Sequence, residues 1–589
     1  MKFENALVSL VLAAIVTLPL FEAALRKALH TGIFNSAAIV QHLTLIAGMV
    51  GGAVAARENR LLALSRLGEM LPGRWRKGAA VFAGSWSVAV SALVAAAGVD
   101  FVRAERPSGQ VLAYGIPVWV IQAAIPAGFA LIALRLAGHS GDTWRSRVIV
   151  VLLAGAWVVL WSWWPVGALF ALGLATLSGV PAFVTLAGVA LILFKRAGEP
   201  IASIPIAHYS LVTNAILPTI PMFTLAGYLL AEGGAPKRLV HVFHTVFGRL
   251  RGGAAIMTVT ACAFFTSFTG GSGVTILALG GLLMPLLLAR SYKERDALGL
   301  VTGAGSLGLL LPPCLPLILY AIVAKVPIES MFLGGIVPGV VMLVVTACWG
   351  VIVAKGHSSG DVEPAFDWNP AMQALWEAKW ELLMPLVAVG ALFSGLATPV
   401  EAAALTALYA FCIEALVYRD LKLTTSLPRV MAECGLMIGG VLLIQGVALG
   451  FTNYLVDAEV MARAAEWATT AIHSRWVFLL ALNLFLLIVG CLMEIYAAIV
   501  IQAPLLVTIG TAFGIDRVHL GIIFLANLEL GYLTPPVGLN LLLSSYRFNR
   551  SVPEVLWAVT PLTLVMSAGV LLITYVPALT TTLPRWFGG

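Results

Sequence analysis

Apolar runs of about 20 residues recur along the 589-residue chain, separated by short polar breaks. Each is long enough to cross the hydrocarbon core of a bilayer as a helix. The first four fall at about 5–25, 36–56, 79–99 and 114–136. Four spans return a chain to its starting side, so residues 1–140 read as a four-helix unit. The first run has the length of a signal peptide, but no small-residue cleavage site follows it, and FEAALRKA reads as a helix end. A polar stretch, GHSGDTWRSR (138–147), and a further apolar run at 148–164 predict a connecting segment and span over 141–164.

From about residue 165 the pattern repeats. SLGLLLPP (306–313) matches ELGYLTPP (529–536) through Leu307 and Leu530, Gly308 and Gly531, Leu310 and Leu533, Pro312 and Pro535, and Pro313 and Pro536, at an offset of 223. GGLLMPLLL pairs with IVIQAPLLV through Pro285 and Pro504 at an offset of 219, which Gly271 and Gly490 keep. LSGVPAF pairs with GLATPVEA through Pro181 and Pro399 at 218. Three matches in one order, at nearly one offset, predict an internal duplication. The domain 165–589 then divides into repeat 1 at about 165–354, a polar linker at 355–373 and repeat 2 at about 374–580.

The duplicated element is a broken one. A Pro pair lacks two backbone donors, so a straight helix cannot run through it undisturbed. Irregular backbone at membrane depth survives only where protein or a water-filled cavity surrounds it. There the freed carbonyls can replace a cation's hydration shell, and half-helix N-termini suit an anionic group. One isolated Pro would be a packing kink. A Gly-x-x-x-Pro-Pro element in corresponding positions of two halves is the sequence mark of a secondary transporter's binding site.

FFTSFTGGSGVTILALGG (264–281) concentrates Thr266, Ser267, Thr269, Gly270, Gly271, Ser272, Gly273 and Thr275 in one window. Small polar residues can serve helix packing. The glycines, flanked by arms too short to span twice, instead predict the tip of a re-entrant hairpin. Its counterpart, IVGCLMEIYAAIVIQAP (488–504), carries Glu494. An intramembrane carboxylate is a functional candidate; a cap on the hairpin is the equal alternative.

Composition narrows the class. The chain is 60% hydrophobic and 11% charged, against about 25% charged for a soluble domain. The expected fold class is therefore an all-α polytopic membrane protein, in which a four-helix N-terminal unit is fused through a connecting span to an inverted-repeat transporter domain with two re-entrant hairpins. The formal charge of +7 reads as loop Lys and Arg beside a membrane and not as a nucleic-acid footprint. RENRLLALSRLGEMLPGRWRK carries six basic residues against two Glu, which predicts a cytoplasmic loop. The six cysteines lie in or beside apolar segments and suggest no disulfide framework. HVFH (241–244) could supply half a metal site, but it sits in KRLVHVFHTVFGRLR, a basic amphipathic stretch that predicts a membrane-surface helix. With no GxxxxGK and no HExxH, ATP hydrolysis is excluded, and the chain reads as a transporter and not an enzyme.

NLELGYLTPPVGLNL, GLLLPPCLPLILYAIV, FLGGIVPG, LATPVEAAALTALYA and the GGSGVT tip resemble the large membrane subunit of tripartite ATP-independent periplasmic (TRAP) transporters over roughly 165–580. The first 140 residues resemble that family's small four-helix subunit, through the RENR loop and GIPVWVIQAAIPAGFALIALRL. The resemblance implies a fused, multi-pass protein of the bacterial inner membrane. It implies a sodium-coupled, elevator-type importer that receives an organic acid anion from a separate periplasmic substrate-binding protein, with sodium as coupling ion and no other cofactor.

Carried over, the resemblance puts a first sodium site at Gly271, Ser272 and Gly273 with backbone near Gly305, Ser306 and Gly308. A second would use Gly490 and Cys491 with Gly531, Thr534 and Pro535. Thr269, Thr398, Asn527 and Asn540 would line the substrate cavity. The family often has a serine-rich first tip, a Ser after the Pro pair and a Pro-Thr at the second tip. Here these read GGSG, Cys314, and Ile495 with Tyr496, which points to a larger or more apolar acid than a small dicarboxylate. A sodium–anion symporter that needs no binding protein would share every one of these features; a channel lacks the expected ring of repeated filter residues, and the permease of an ATP-driven system would need a separate cytoplasmic nucleotide-binding partner.

Overall fold

The computed structural model describes residues 2–64, 72–140, 143–247, 250, 252–290, 292–355, 368–395, 397–535 and 538–587. Pro536, part of the basic loop and most of the polar linker lie outside the described residues.

Hydrophobicity decides the secondary structure. With no water to satisfy the backbone, an apolar run in lipid must close its own hydrogen bonds, and a helix does so within one segment. Among the described residues, twelve helices are long and apolar enough to cross a membrane. A bent pair, Glu294–Leu310 with Leu315–Ala324, turns by 43° at its break. Helix starts follow local chemistry. The Thr143 hydroxyl accepts from the Ser146 amide to open the connecting helix Trp144–Trp163, and the Asp516 carboxylate accepts from the Val518 and His519 amides at 2.8 and 3.1 Å.

The chain forms two compact units. One comprises Met1–Met222, Pro428–Ala464 and Val500–Leu505. Its four predicted N-terminal spans are present as Lys2–Leu29, Ser36–Arg57, Gly73–Glu105 and a fourth running from Val118 to His139. Glu4 accepts from Arg57 at 2.6 Å and also from Arg135, neutralising charge at one end of this bundle. The helix Ser426–Asp457 packs on Ser36–Arg57 where glycines meet: a methyl at Gly51 would strike the Gly435 carbonyl and approach the Gly439 Cα at 3.1 Å. Such small-residue crossings replace the hydrophobic effect that lipid denies to helix pairs. The connecting helix is tied to Gly73–Glu105 by the Trp157 indole, which donates to the Ser85 hydroxyl at 2.9 Å and stacks on Trp86 with ring centres 4.9 Å apart.

The other unit comprises Phe223–Leu427, Ala465–Ile499 and Leu506–Gly589. Two helix series follow one another along the chain, the second including Ile495–Ala512, whose Val500–Leu505 portion belongs to the first unit. Helices Gly253–Thr269, Ser272–Ala289, Glu294–Ala304, Leu315–Ala324 and Ile328–Lys355 are followed later by Arg475–Leu492, Ile495–Ala512, Arg517–Gly531, Leu539–Phe548 and Val552–Tyr575. Pro285 and Pro504 lie inside the second helix of each series.

KRLVHVFHTVFGRLR contributes the helix Ala235–Phe247, amphipathic as expected, but its apolar face, with Leu239, Val240, Val242 and Phe243 buried, packs on helices Gly253–Thr269 and Trp368–Glu377 of the protein and not on a membrane surface. No group of three or more His, Cys, Asp or Glu suited to a metal occurs among the described residues.

Candidate functional site

The first tip is a chain reversal made by glycine. Helix Gly253–Thr269 ends at Gly270, whose φ of 65° is left-handed and which carries no Cβ to oppose it. Gly271 is extended and precedes helix Ser272–Ala289. The two arms are joined by the Thr266 and Thr275 hydroxyls at 2.6 Å. Thr266 donates onward to the Gly305 carbonyl at 2.8 Å, linking the tip to the first break. Ser306 donates back to Gly303 at 3.3 Å. At Gly308 a methyl would overlap the Ala263 carbonyl and come within 2.5 Å of the Ser267 amide nitrogen. Only glycine lets the break lie against the arm. The Ser272 hydroxyl is buried with no hydrogen-bond partner among the described residues. Thr269 reaches toward the Gly271 carbonyl at 3.5 Å, and Gly273 gives way to Leu543.

The second candidate tip is built with different side chains and has no left-handed glycine at its turn. Helix Arg475–Leu492 leads through Met493 to Glu494, whose carboxylate accepts from the Tyr496 and Ala497 amides at 3.0 and 3.4 Å. Glu494 therefore caps helix Ile495–Ala512, in line with the capping alternative its sequence left open. A methyl at Gly531 would lie 2.5 Å from Gly490 and 2.9 Å from the Cys491 nitrogen. Gly531 thus lies against helix Arg475–Leu492 as Gly308 lies against helix Gly253–Thr269. Gly538, at φ 50°, starts the next half-helix, and its amide donates to the Cys491 carbonyl at 3.3 Å. Thr534 donates to the Leu530 carbonyl at 2.8 Å. Pro535 is exposed beside it.

Two tyrosines connect these parts. Tyr532 accepts from the Ile495 amide at 2.9 Å, fixing the second tip to its break. Tyr496 donates to the Gly270 carbonyl at 2.6 Å, fixing the second tip to the first. Gly270 also packs against Leu315 at the start of the half-helix after the first break. Thr266 ties the first tip to Gly305, Gly308 lies against Thr266 and Ser267, and Gly531 lies against Gly490 and Cys491.

The expected cavity residues separate. The Asn540 amide nitrogen of the backbone donates to the Tyr532 carbonyl at 3.1 Å, and its side chain donates to the Thr302 carbonyl at 3.2 Å. Its buried side-chain oxygen has no partner among the described residues. Asn527 instead donates to Asn483 at 2.6 Å, and Asn483 accepts from Thr574 at 3.0 Å. That triad joins three helices in a packing role. The Thr398 hydroxyl accepts from the Glu401 amide and opens helix Pro399–Phe411; it forms no hydrogen bond to either tip among the described residues.

Two further features were not singled out from sequence. Glu529, inside the quoted NLELG stretch, is fully buried, and neither carboxylate oxygen has a hydrogen-bond partner among the described residues. Arg238 gathers Glu381, Glu414 at 3.1 Å and Asp420 at 2.6 Å, and lies 3.7 Å from the centre of the Tyr418 ring. Burial opposes the Arg238 charge, but the pairs with Asp420 and Glu381 outweigh it and hold its proton above the ordinary arginine range.

Residues 166–579 match the family described as tripartite ATP-independent periplasmic transporter, DctM component, and residues 15–146 match the DctQ component. The chain is 30% identical over 91% of its length to the isethionate TRAP transporter permease protein DctMQ of Oleidesulfovibrio alaskensis, covering 86% of that protein. It is 32% identical over 68% of its length to the C4-dicarboxylate TRAP transporter large permease protein DctM of Pseudomonas aeruginosa, covering 93% of it. The protein of the same name from Rhodobacter capsulatus is 32% identical over 70% of this chain and is covered to 97%.

Proposed function

Because the chain belongs to the tripartite ATP-independent periplasmic transporter family, with the small and large membrane components fused, we propose that it imports an organic acid anion by sodium coupling. It is a multi-pass permease of the inner membrane that works with a periplasmic substrate-binding protein. Family membership sets aside both rival classes, the binding-protein-independent symporter and the ATP-driven permease.

The sodium reading rests on one observation above the others. Gly308 and Gly531 occupy equivalent positions of the two repeats, and each brings a broken helix against the arm of a tip. A cation needs several oxygens that are not already spent on hydrogen bonds. The Ser272 hydroxyl at the first tip has no such partner, and a donating hydroxyl such as Thr534 keeps its lone pairs available. This supports the two assigned sodium sites: Gly271 and Ser272 with Gly305, Ser306 and Gly308, and Gly490 and Cys491 with Gly531, Thr534 and Pro535. Gly273 would contribute only its backbone. Of the cavity residues, Asn540 with its unspent oxygen is the best supported substrate contact, with Thr269 beside the tip.

Residues 1–140 are read as the small-component scaffold and 165–589 as the transport domain with two re-entrant hairpins, moved as an elevator. The substrate class follows from the relatives, one named for isethionate and others for C4-dicarboxylates: an organic acid carrying a carboxylate or sulfonate. Ile495 and Tyr496, standing where the family often has Pro-Thr, favour an acid with an apolar portion. Uptake of the acid by proteoliposomes, given its binding protein, should follow an inward sodium gradient and ignore ATP. Equal uptake with potassium replacing sodium on both sides would refute it.

A further inference from the structure

A cavity of about 370 Å³ opens in the N-terminal unit between the connecting helix Trp144–Trp163, helix Gly73–Glu105 and helix Ala182–Ala197. Leu93, Leu191 and Ile201 give it apolar walls, while Lys195 and Glu199 bring opposite charges to its edge. Trp161 also lines it. That indole is only 3% exposed, and its N–H has no acceptor among the described residues. An indole nitrogen is a donor only, so nothing but an acceptor can satisfy it.

The depth of the cavity is marked by its neighbours. Trp163 and Trp164, at the end of the connecting helix, are 85% and 62% exposed. Exposed tryptophans at a span end belong to the aromatic belt at the lipid–water boundary. Lys195 sits in the last turn of its helix, and Gly198 ends that helix in a left-handed conformation, so Glu199 lies just past the helix end. A long apolar stem with a charged tip suits this depth.

We propose that this cavity holds the headgroup of a phospholipid bearing a primary ammonium. The phosphodiester oxygens would accept from the Trp161 N–H and face the Lys195 ammonium. The lipid's own ammonium would face the Glu199 carboxylate, and its chains would follow Leu93 and Leu191. A buried donor, a cation and an anion around one apolar-walled opening complement that zwitterion group by group. A lipid with a glycerol headgroup lacks the cation that Glu199 selects.

The test uses the full chain, delipidated in detergent and offered equal amounts of phosphatidylethanolamine, phosphatidylglycerol and phosphatidylcholine with identical chains, with bound lipid counted by native mass spectrometry. The wild type should retain phosphatidylethanolamine in about tenfold preference, the scale of one charge-assisted hydrogen bond. Glu199→Gln should lose the preference while still binding lipid. Lys195→Gln and Trp161→Phe should weaken retention of all three, with melting temperatures in lipid-free detergent unchanged. Retention in the wild type without headgroup preference, or variants that retain lipid as the wild type does, would overturn the proposal. So would glycerophosphoethanolamine, which lacks acyl chains, competing as well as the lipid.

Discussion

The Tyr496 hydroxyl donates a hydrogen bond to the Gly270 carbonyl oxygen at 2.6 Å, across 226 residues of sequence. Gly270 is the left-handed residue that turns the first tip, and Tyr496 lies in the first turn of the helix that leaves the second. One bond therefore joins the two candidate tips at the point where each departs from regular structure. A turn residue has a carbonyl that its own helix cannot satisfy, and the second repeat supplies the donor.

Tyr496→Phe removes that donor and leaves a buried carbonyl unsatisfied, a loss of about 1–2 kcal/mol. Half-maximal uptake should then need roughly tenfold more sodium, because the tips no longer hold each other in register. Uptake measured against sodium concentration decides it; an unshifted curve would make the bond structural only.

Gly308→Ala and Gly531→Ala each force a methyl into backbone within about 2.5 Å. Overpacking of this kind costs about 1–3 kcal/mol, so both variants should melt lower and express less. Gly390→Ala, at a position with nothing within 4 Å of the added methyl, should be neutral or slightly stabilising by helix propensity. Melting in detergent separates the three, and equal behaviour would remove the close-crossing explanation for these glycines.

Much of this arrangement is legible in the sequence, and the parts that are not share a cause. The Pro pairs, the GG tip and the fixed offset announce the breaks because they act on the backbone locally. The partner of a polar side chain is a different matter. Asn527 was expected to face the cavity, yet Asn483, a lone Asn in an apolar run, takes its amide. Thr266 and Thr275 stood in the quoted tip window without any sign that they face each other. Glu494 could have been a functional acid or a cap, and only the direction of two amides chose between them. Arg238 meets carboxylates 143 to 182 residues away, a relationship no local pattern encodes.

That Arg238 cluster yields its own prediction. Glu381 and Glu414 have fully buried side chains and Arg238 is their counter-charge. Arg238→Met should cost about 3–5 kcal/mol, the usual size for an ion left buried without its partner. Adding Glu414→Gln should recover part of the lost melting temperature, because one uncompensated charge has gone. A double variant that melts as low as the single one would show that the two side chains are not coupled.

The basic loop should face the cytoplasm. In a background without reactive native cysteines, Asn59→Cys, at an exposed position beside Arg57 and Arg60, should resist an impermeant maleimide added outside intact cells and react after permeabilisation. Labelling from outside would reverse the orientation of the N-terminal unit.

If the first tip binds sodium, Ser272→Ala should weaken sodium dependence without weakening the fold. The Ser272 hydroxyl makes no hydrogen bond to any described residue, so its removal breaks none of the hydrogen bonds among them. The variant should melt at the wild-type temperature in sodium-free buffer. Its proteoliposomes should need roughly tenfold more sodium for half-maximal uptake, as for the loss of one oxygen contact to a charged group. A wild-type sodium curve for Ser272→Ala would contradict the account.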